Sequence, residues 1–420
     1  MRMRALTEPE RTPTLRSVCP HTESFPDAET FPMPISVPQR RRLPLLATRI
    51  GALLLLGGIL PGPAEAGFIG PTNYPAGQYP LAGALGDIDG DGDLDIATAN
   101  WGPNTVSVLL NNGDGTFAAA TNYPVPERPV DVAIGNLQVL DNFPDLVVAN
   151  QGGSSVSVFF GNGDGSFATP THYPLTHGAT AVAIGNFNGG SAPDIAVTYG
   201  GNSLGILYGD GVLNFAWDHV ATGTFVAENL SVGDVNGNGH LDLLAPDFYS
   251  DSVMIYSGNG AGEFLGPTPT AAGMNARAVT LAHLNGDSMV DMAVANFGAD
   301  TVTVSFGTGT PSYFQLSATY PAGDGAKAVV VADFNADNQS DLAVANYNAS
   351  TLSILNGNGN GTFAPAVHHS YGSKPTDLLG GDLDGDGDSD LVLVNYYGAN
   401  VSVLLTDNSP PDVVFFSGFE

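Results

Sequence analysis

The stretch Asp87-Ile-Asp89-Gly-Asp91-Gly-Asp93-Leu-Asp95 places aspartates at alternating positions, separated in its centre by glycines. Glycine permits the tight turns that bring such side chains together. Several carboxylate oxygens directed at one point are what a hard cation such as Ca²⁺ requires. The same nine-residue pattern returns near the other end of the chain, from Asp382 to Asp390. The pattern therefore indicates a repeated unit with cation-binding loops.

Five less regular copies of this nonamer lie between the two complete ones. The first positions of the seven nonamers are Asp87, Asn136, Asn186, Asp234, His283, Asp333 and Asp382. The steps between them are 49, 50, 48, 49, 50 and 49 residues. A near-constant period of this length is typical of repeat architectures in which each unit is one supersecondary structure.

Each unit has the same order of short strands and turns, as unit 2 illustrates. Val130–Ile134 enters the nonamer, Asp145–Ala149 leaves it, and Ser155–Phe159 alternates as a third strand. A glycine-rich hairpin turn, Asn162–Phe167, then leads into a fourth strand. Four short strands in one unit form one blade of a propeller. The sequence therefore predicts an all-β fold, a seven-bladed β-propeller of four-stranded blades.

The two ends of the repeat region predict how the ring closes. The seventh unit ends after its third strand, Val401–Leu405, and has no fourth strand after it. Phe68–Tyr74, near the predicted mature N-terminus, resembles fourth strands such as Phe117–Pro124. We therefore expect the N-terminal strand of the mature chain to complete the last blade, which removes an exposed sheet edge.

The charge of the chain excludes some classes of partner. The 420-residue sequence has a formal net charge of −30, and from Gly67 onward it contains four basic and 36 acidic residues, so 4 − 36 = −32. Such a surface repels nucleic acid and anionic membranes and attracts divalent cations. The single cysteine, Cys19, precedes this region, so the body of the protein has no disulfide.

Residues 1–66 have the features of a signal peptide region. Arg40–Arg42 are followed by the apolar run Ile50–Leu60 and by Ala64-Glu65-Ala66, which fits an A-x-A cleavage site. The run is short for a membrane span, although a single anchoring helix is an alternative. Because residues 1–32 make the signal unusually long, Met33 is a candidate start. We expect a secreted protein (extracellular, periplasmic or at the cell surface) with no stable membrane span after cleavage. The propeller would occupy 67–408 and a short tail 409–420.

The period, the nonamer and the Asn-Gly-Asp-Gly-Thr-Phe turn together resemble the FG-GAP or VCBS repeat family, whose repeats form the seven-bladed head of integrin α subunits. The resemblance covers Phe68 to Thr406, nearly all of the mature chain. It implies that the nonamer loops bind Ca²⁺ on one face of the propeller. It also implies that positions 1, 3, 5 and 9 supply side-chain oxygens and that position 7 supplies a backbone carbonyl.

Carried onto this sequence, the resemblance assigns a set of calcium ligands in four units. These are Asp87, Asp89, Asp91, Asp93 and Asp95 in unit 1; Asp234, Asn236, Asn238, His240 and Asp242 in unit 4; Asp333, Asn335, Asp337, Gln339 and Asp341 in unit 6; and Asp382, Asp384, Asp386, Asp388 and Asp390 in unit 7. Units 1 and 7 are complete and unit 6 is nearly so, so we expect several calcium ions, bound best in units 1, 6 and 7. Unit 4 keeps fewer charges and should bind calcium more weakly. The alternative is that the loops are only polar turns. Because an aspartate at position 9 survives even in units without the other ligands, we expect Asp145 and Asp194 to cap backbone amides.

These features favour a calcium-stabilised binding or adhesion module, with a protein or glycan ligand that the sequence does not identify, acting as a monomer. One alternative is an extracellular enzyme, a lyase or hydrolase, that acts on polysaccharide. Against it, nearly every carboxylate is already explained by a loop or a turn. Another alternative is a lectin, which requires aromatic and polar residues repeated at one position per blade. Aromatic residues such as Trp101, Tyr347, Tyr396 and Tyr397 lie near turns, where packing or a sugar-binding surface would explain them.

Overall fold

The computed structural model describes residues 67–406, except 201–202, 213, 223–226 and 310–312. The signal region predicted at 1–66 and the tail predicted at 409–420 lie outside the described residues. The strands, in chain order, are β1 (Phe68–Pro75), β2 (Pro80–Gly86), β3 (Asp95–Asn100), β4 (Thr105–Leu109), β5 (Thr121–Pro124), β6 (Pro129–Gly135), β7 (Asp145–Asn150), β8 (Ser155–Phe159), β9 (Thr171–Pro174), β10 (Ala179–Gly185), β11 (Asp194–Tyr199), β12 (Ser203–Gly209), β13 (Phe215–Thr222), β14 (Ser231–Gly233), β15 (Asp242–Asp247), β16 (Ser252–Gly258), β17 (Phe264–Ala271), β18 (Ala276–Ala282), β19 (Asp291–Asn296), β20 (Thr301–Gly309), β21 (Tyr313–Pro321), β22 (Ala326–Ala332), β23 (Asp341–Asn346), β24 (Thr351–Leu355), β25 (Val367–His369), β26 (Pro375–Gly381), β27 (Asp390–Asn395) and β28 (Asn400–Thr406).

These strands form seven antiparallel sheets of four strands each. Six sheets take four consecutive strands in order, beginning with β2-β3-β4-β5 as blade 1 and ending with β22-β23-β24-β25 as blade 6. The innermost strands of successive blades contact one another, and β26 of blade 7 contacts β2 of blade 1. The predicted all-β fold, a seven-bladed propeller of four-stranded blades, is confirmed.

The seventh blade is built from both ends of the described chain. Its strand order is β1-β28-β27-β26, with β1 on the outside. Phe68 pairs with Thr406 and Tyr74 pairs with Val401 across the antiparallel ladder. The Ser402 hydroxyl also donates a hydrogen bond of 2.6 Å to Oδ1 of Asn73. The N-terminal strand of the described chain therefore supplies the fourth strand that unit 7 lacks.

The core lies between adjacent blades, on both faces of each second strand. All six residues of every second strand are buried, from β3 in blade 1 to β27 in blade 7. Alanine and valine dominate these strands, as in Asp341–Asn346, because sheets that pack closely on both faces need small apolar side chains.

The fourth strands of blades 1, 2 and 6 begin later than their sequences suggest. In blade 1, β5 begins at Thr121, and Phe117 forms only an isolated bridge with Asn111. Phe117 is 7% exposed and packs with Leu383 and Val394 of the neighbouring blade. The aromatic side chain is drawn into the space between blades, and the regular ladder resumes only after it.

Candidate functional site

Each nonamer loop joins the first strand of a blade to the second, so all seven loops lie on the same face of the propeller. The aspartate at position 9 is fully buried in every blade. In unit 1, Oδ2 of Asp95 accepts the Ile88 N–H and Oδ1 accepts the Asn111 N–H, both at 2.8 Å. The same pair of bonds recurs in all seven units, at Asp95, Asp145, Asp194, Asp242, Asp291, Asp341 and Asp390. The capping role predicted for Asp145 and Asp194 is confirmed, and it extends to every blade.

The carboxylates of unit 1 converge as a metal loop requires. One oxygen each from Asp87, Asp89 and Asp95 lies within 4.8 Å of the others. The equivalent oxygens of unit 7 form the same kind of group, from Asp382, Asp384 and Asp390. Position 5 is not part of either group, and Oδ1 of Asp91 instead accepts the Asp93 N–H at 3.0 Å. The structure thus gathers positions 1, 3 and 9, and a metal contact from position 5 stays a prediction.

The backbone of these loops wraps around the first aspartate. Oδ1 of Asp87 accepts the Gly90 N–H at 2.8 Å and Oδ2 accepts the Gly92 N–H at 3.1 Å. Gly90 and Gly92 have φ values of 80° and 101°, a region that favours glycine. No atom lies within 4 Å of where a Cβ would stand at either glycine. Backbone conformation, and not crowding, therefore explains why glycine occupies these two positions.

The electrostatics of unit 1 favour an added cation. Burial raises the pKa of Asp95 to about 6. Burial and then the nearby charge of Asp91 raise the pKa of Asp89. Carboxylates crowded together in this way repel one another unless a cation or a proton offsets the charge. The donor set consists of oxygens, and a bound divalent cation would neutralise their charge and hold the loop in one conformation.

Unit 6 shares two features with unit 1: a position-9 aspartate with a raised pKa, and a first aspartate that accepts backbone N–H groups of its own loop. Burial raises the pKa of Asp341 to about 6. Nδ2 of Asn335, at position 3, is buried and has no hydrogen-bond partner among the described atoms. Asp333 accepts the N–H groups of Asp337 and Asn338, and Asp337 accepts the Gln339 N–H. Within the described part of the chain, unit 6 does not form a three-carboxylate group like those of units 1 and 7.

Unit 4 satisfies its position-9 aspartate from within the loop. Nδ2 of Asn236 donates to both oxygens of Asp242, at 3.1 and 3.0 Å. Nδ2 of Asn238 donates to the Gly258 carbonyl, and Oδ1 of Asn238 accepts the His240 N–H. The Asn236 amide hydrogens thus place positive potential beside Asp242, where a cation would lie in a loop that has all of its carboxylates. This arrangement supports the prediction that unit 4 binds a cation more weakly than units 1, 6 and 7, and that prediction stays untested.

The opposite face carries a set of residues that sequence analysis missed. Six of the seven inner strands have a register shift near their start, as between Ala276 and Ala278 and between Ala326 and Ala328. Arg277 and Lys327 are the extra residues at two of these bulges. Arg277 forms an ion pair with Glu228, and Lys327 Nζ lies 3.9 Å from Oε2 of the same glutamate. A bulge redirects the side chain of its extra residue, which explains how blades 4, 5 and 6 bring these charges together.

An aromatic residue directly follows the second strand in five consecutive blades, from blade 4 through blade 7 to blade 1. These residues are Phe248, Phe297, Tyr347, Tyr396 and Trp101. Counting from the first position of each nonamer would have found this recurrence. The differing ring types and the absence of an aromatic at this position in blades 2 and 3 concealed it.

Seven four-stranded blades with carboxylate loops after their first strands define a repeat β-propeller. The profile of the FG-GAP-like repeat matches residues 87–137, 140–197 and 333–393. The protein therefore carries FG-GAP-like repeats on a seven-bladed β-propeller, as the resemblance predicted. A search of curated protein sequences finds no significant match.

Solved structures with the same fold share little sequence with the chain. A crystal structure of BBS1N in complex with ARL6DN has a TM-score of 0.58 at 14% identity, covering 82% of this chain and 98% of that one. Hydrazine synthase from Kuenenia stuttgartiensis has a TM-score of 0.57 at 12% identity, covering 80% and 97%. A functionally unknown protein from Desulfotomaculum acetoxidans has a TM-score of 0.51 at 13% identity, covering 72% and 96%. At these identities the likeness shows the fold alone.

The described residues contain no helix long and apolar enough to cross a membrane.

Proposed function

We propose that the protein is a secreted, calcium-binding β-propeller that acts as a non-catalytic binding or adhesion module for a protein or glycan. The observation that carries this proposal is the convergence of three carboxylates in each of two neighbouring blades, 7 and 1. Blade 7 is also the blade that β1 completes. Calcium at these loops would stiffen the propeller where the two ends of the described chain meet.

Two observations support a binding role without catalysis: the fold, and the structural role of the buried aspartates. A propeller of similar fold, BBS1N, was crystallised in complex with another protein, ARL6DN. In the described residues, the buried position-9 aspartates are held by backbone N–H groups in all seven units, so they serve the scaffold. Secretion rests on the signal features at 1–66, and we expect the mature form to begin at Gly67 and to be a monomer.

Calcium titration by calorimetry tests the metal part of the proposal. We expect two tight sites in the protein that begins at Gly67, with weaker binding from units 6 and 4. Asp89→Asn should remove one tight site and Asp384→Asn the other, whereas Asp114→Asn, in an exposed turn of blade 1, should remove neither. Absence of calcium binding by the folded protein would contradict the proposal.

The non-catalytic part is tested with neutral and acidic polysaccharides. We expect the calcium-loaded protein to release no new reducing ends and no unsaturated products from them. Steady release that is abolished by a single substitution would support the enzyme alternative instead.

A further inference from the structure

The basic residues of the mature region are concentrated at one place. Gly67 to Glu420 contains only Arg128, Arg277, Lys327 and Lys374 as basic residues. Arg128 and Lys374 immediately precede inner strands β6 and β26, and Arg277 and Lys327 are the second residues of β18 and β22. All four therefore lie where inner strands begin, on the face opposite the metal loops.

Aromatic rings hold these cations in position. The Arg277 guanidinium carbon lies 4.1 Å from the ring centroid of Phe248 and 5.2 Å from that of Phe297. Lys327 and Lys374 share one ring, with Nζ atoms 5.4 and 5.2 Å from the centroid of Tyr347. A cation over an aromatic face is attracted by the ring quadrupole, and this attraction fixes long side chains that would otherwise be mobile.

The rings also contact one another around the start of the inner strands. Tyr347 lies 6.5 Å from Tyr396, and Tyr79 lies 5.0 Å from Tyr396 and 6.3 Å from Trp101 between ring centroids. The Arg128 guanidinium carbon lies 5.1 Å from the Trp101 ring. We call these residues the axial cluster: Arg128, Arg277, Lys327, Lys374, Phe248, Phe297, Tyr347, Tyr396, Tyr79 and Trp101. Beside it, Tyr397 is 55% exposed, and its ring lies 5.0 Å from that of Tyr396.

The cluster has more cations than ion-pair partners. Both ion pairs found among the described residues use the one carboxylate of Glu228, which faces Arg277 and Lys327. The side chain of Glu228 is 42% exposed, whereas those of Arg277 and Lys327 are 12% and 16% exposed, so solvent reaches this group mainly at the carboxylate. Asp324 lies beside Lys374 on this face, because Asn348 donates a hydrogen bond to Asp324 and accepts one from Lys374 Nζ. Salt screens charges more than about 8 Å away at physiological ionic strength, so the acidic loops of the other face contribute little to the potential at the cluster.

We propose that the axial cluster binds a short glycan segment through a uronic acid residue, which deepens the proposed binding function and rests on it. The exposed ring of Tyr397, beside the cluster, presents a flat apolar surface to the C–H groups of a sugar ring. Guanidinium and ammonium groups form charge-assisted hydrogen bonds with a carboxylate. An aromatic residue at one position in five consecutive blades, interleaved with cations, is the recurrence that a lectin requires. The partner is therefore a sugar acid and not a neutral sugar.

The test compares two trisaccharides, one of galacturonic acid and one of galactose with the same linkages, against the calcium-loaded protein. The chain has two tryptophans, so Trp217→Phe leaves Trp101 as the reporter of binding by fluorescence. We expect the acidic trisaccharide to change the fluorescence and to bind at least tenfold more tightly than the neutral one. We also expect this affinity to fall as sodium chloride is raised, because the contacts are ionic.

Matched variants assign the binding to the cluster. Arg128 and Lys374 are members of the cluster that directly precede inner strands. Replacing either with alanine should weaken binding by roughly three- to tenfold. Lys374→Arg should keep most of the affinity, because it keeps the charge. Tyr397→Ala should weaken binding and Tyr397→Phe should not, because only the first removes the ring. Asp114→Asn, in an exposed turn on the other face, is the control and should change nothing.

Equal affinity for the two trisaccharides, or no binding by protein that still binds calcium, would overturn the inference. A hexapeptide of glutamate that competes as well as the uronate would overturn it in favour of an acidic protein segment. Calcium binding is measured on the same samples, so a failure of this inference is separated from a failure of the proposed function.

Discussion

At the scale of single residues, the aspartate at position 9 has a role that does not depend on metal. It is fully buried in all seven blades and accepts one N–H from its own loop and one from the last part of the third strand or just after it. Units 2 and 3 lack most other ligands and still keep both bonds, at Asp145 and Asp194. The bonds tie the loop to the sheet, and in units 1 and 7 the same carboxylate also belongs to the group of three converging carboxylates.

Asp145→Ala tests this role in a unit that is not predicted to bind metal. The Leu137 and Gly161 N–H groups lose their acceptor, so we expect a loss of about 2 to 4 kcal/mol in the free energy of unfolding. Denaturant unfolding with and without calcium measures it, and the loss should be the same in both. Glu127→Gln, at an exposed side chain, is the control. A loss no larger than that of the control would refute the capping role.

The pKa values of Asp95 and Asp341 predict a pH effect on the metal-free protein. Burial raises both from the ordinary 3.8 to about 6, so the folded state binds these protons more tightly than the unfolded state. Their contribution to stability is fully present below about pH 3.8 and is lost as the pH rises through about 6. In EDTA, the melting temperature should therefore fall over this window. Calcium favours the ionised carboxylates, so it should remove the fall, and an identical pH trend with calcium would contradict this explanation.

At the scale of strands, β1 is the element on which the ring depends. It pairs with β28 over most of its length, and its Tyr74 ring lies 5.3 Å from Phe117, between blade 7 and blade 1. Val401 and Val403 beneath it are almost fully buried. Without β1, the β28 edge would be open to solvent and to other chains.

Deletion of residues 68–75 is expected to lower the melting temperature strongly and to cause aggregation through the open edge. Tyr74→Ala should cost about 1 to 3 kcal/mol of stability, because a half-buried aromatic contact between blades is lost. Ile69→Ala on the same strand should be nearly neutral, because Ile69 is 58% exposed. Thermal melting followed by circular dichroism measures all three, and an unchanged melting temperature for the deletion would contradict this closure.

The sequence predicted local features better than features that depend on the assembled ring. Period and alternation were enough to place second strands such as Asp145–Asn150, because they lie wholly inside one repeat. The start of β5 was not predictable, because Phe117 leaves the ladder to pack on the next blade. Trp101, Tyr347 and Tyr396 were noted singly, but the axial cluster as a whole was missed because it combines residues from distant repeats. Its Arg277 and Lys327 also depend on bulges that leave no signature in the residue types.

At the scale of the whole molecule, the two faces differ in chemistry. One face carries seven acidic or amide-rich loops, with carboxylate groups in adjacent blades 7 and 1. The other carries the four lysine and arginine residues that the sequence contains from Gly67 onward, among aromatic rings. We infer that the first face serves stability through calcium and that the second serves recognition.

The most direct test of the calcium claim is the melting temperature of the protein that begins at Gly67, measured in EDTA and in calcium. We expect calcium to raise it, because each site adds about 2.7 kcal/mol when calcium is at a hundredfold excess over its dissociation constant. In the double variant Asp89→Asn, Asp384→Asn most of this rise should disappear, while the melting temperature in EDTA should not fall. A melting temperature that calcium does not change, or a rise that the double variant retains in full, would contradict the account.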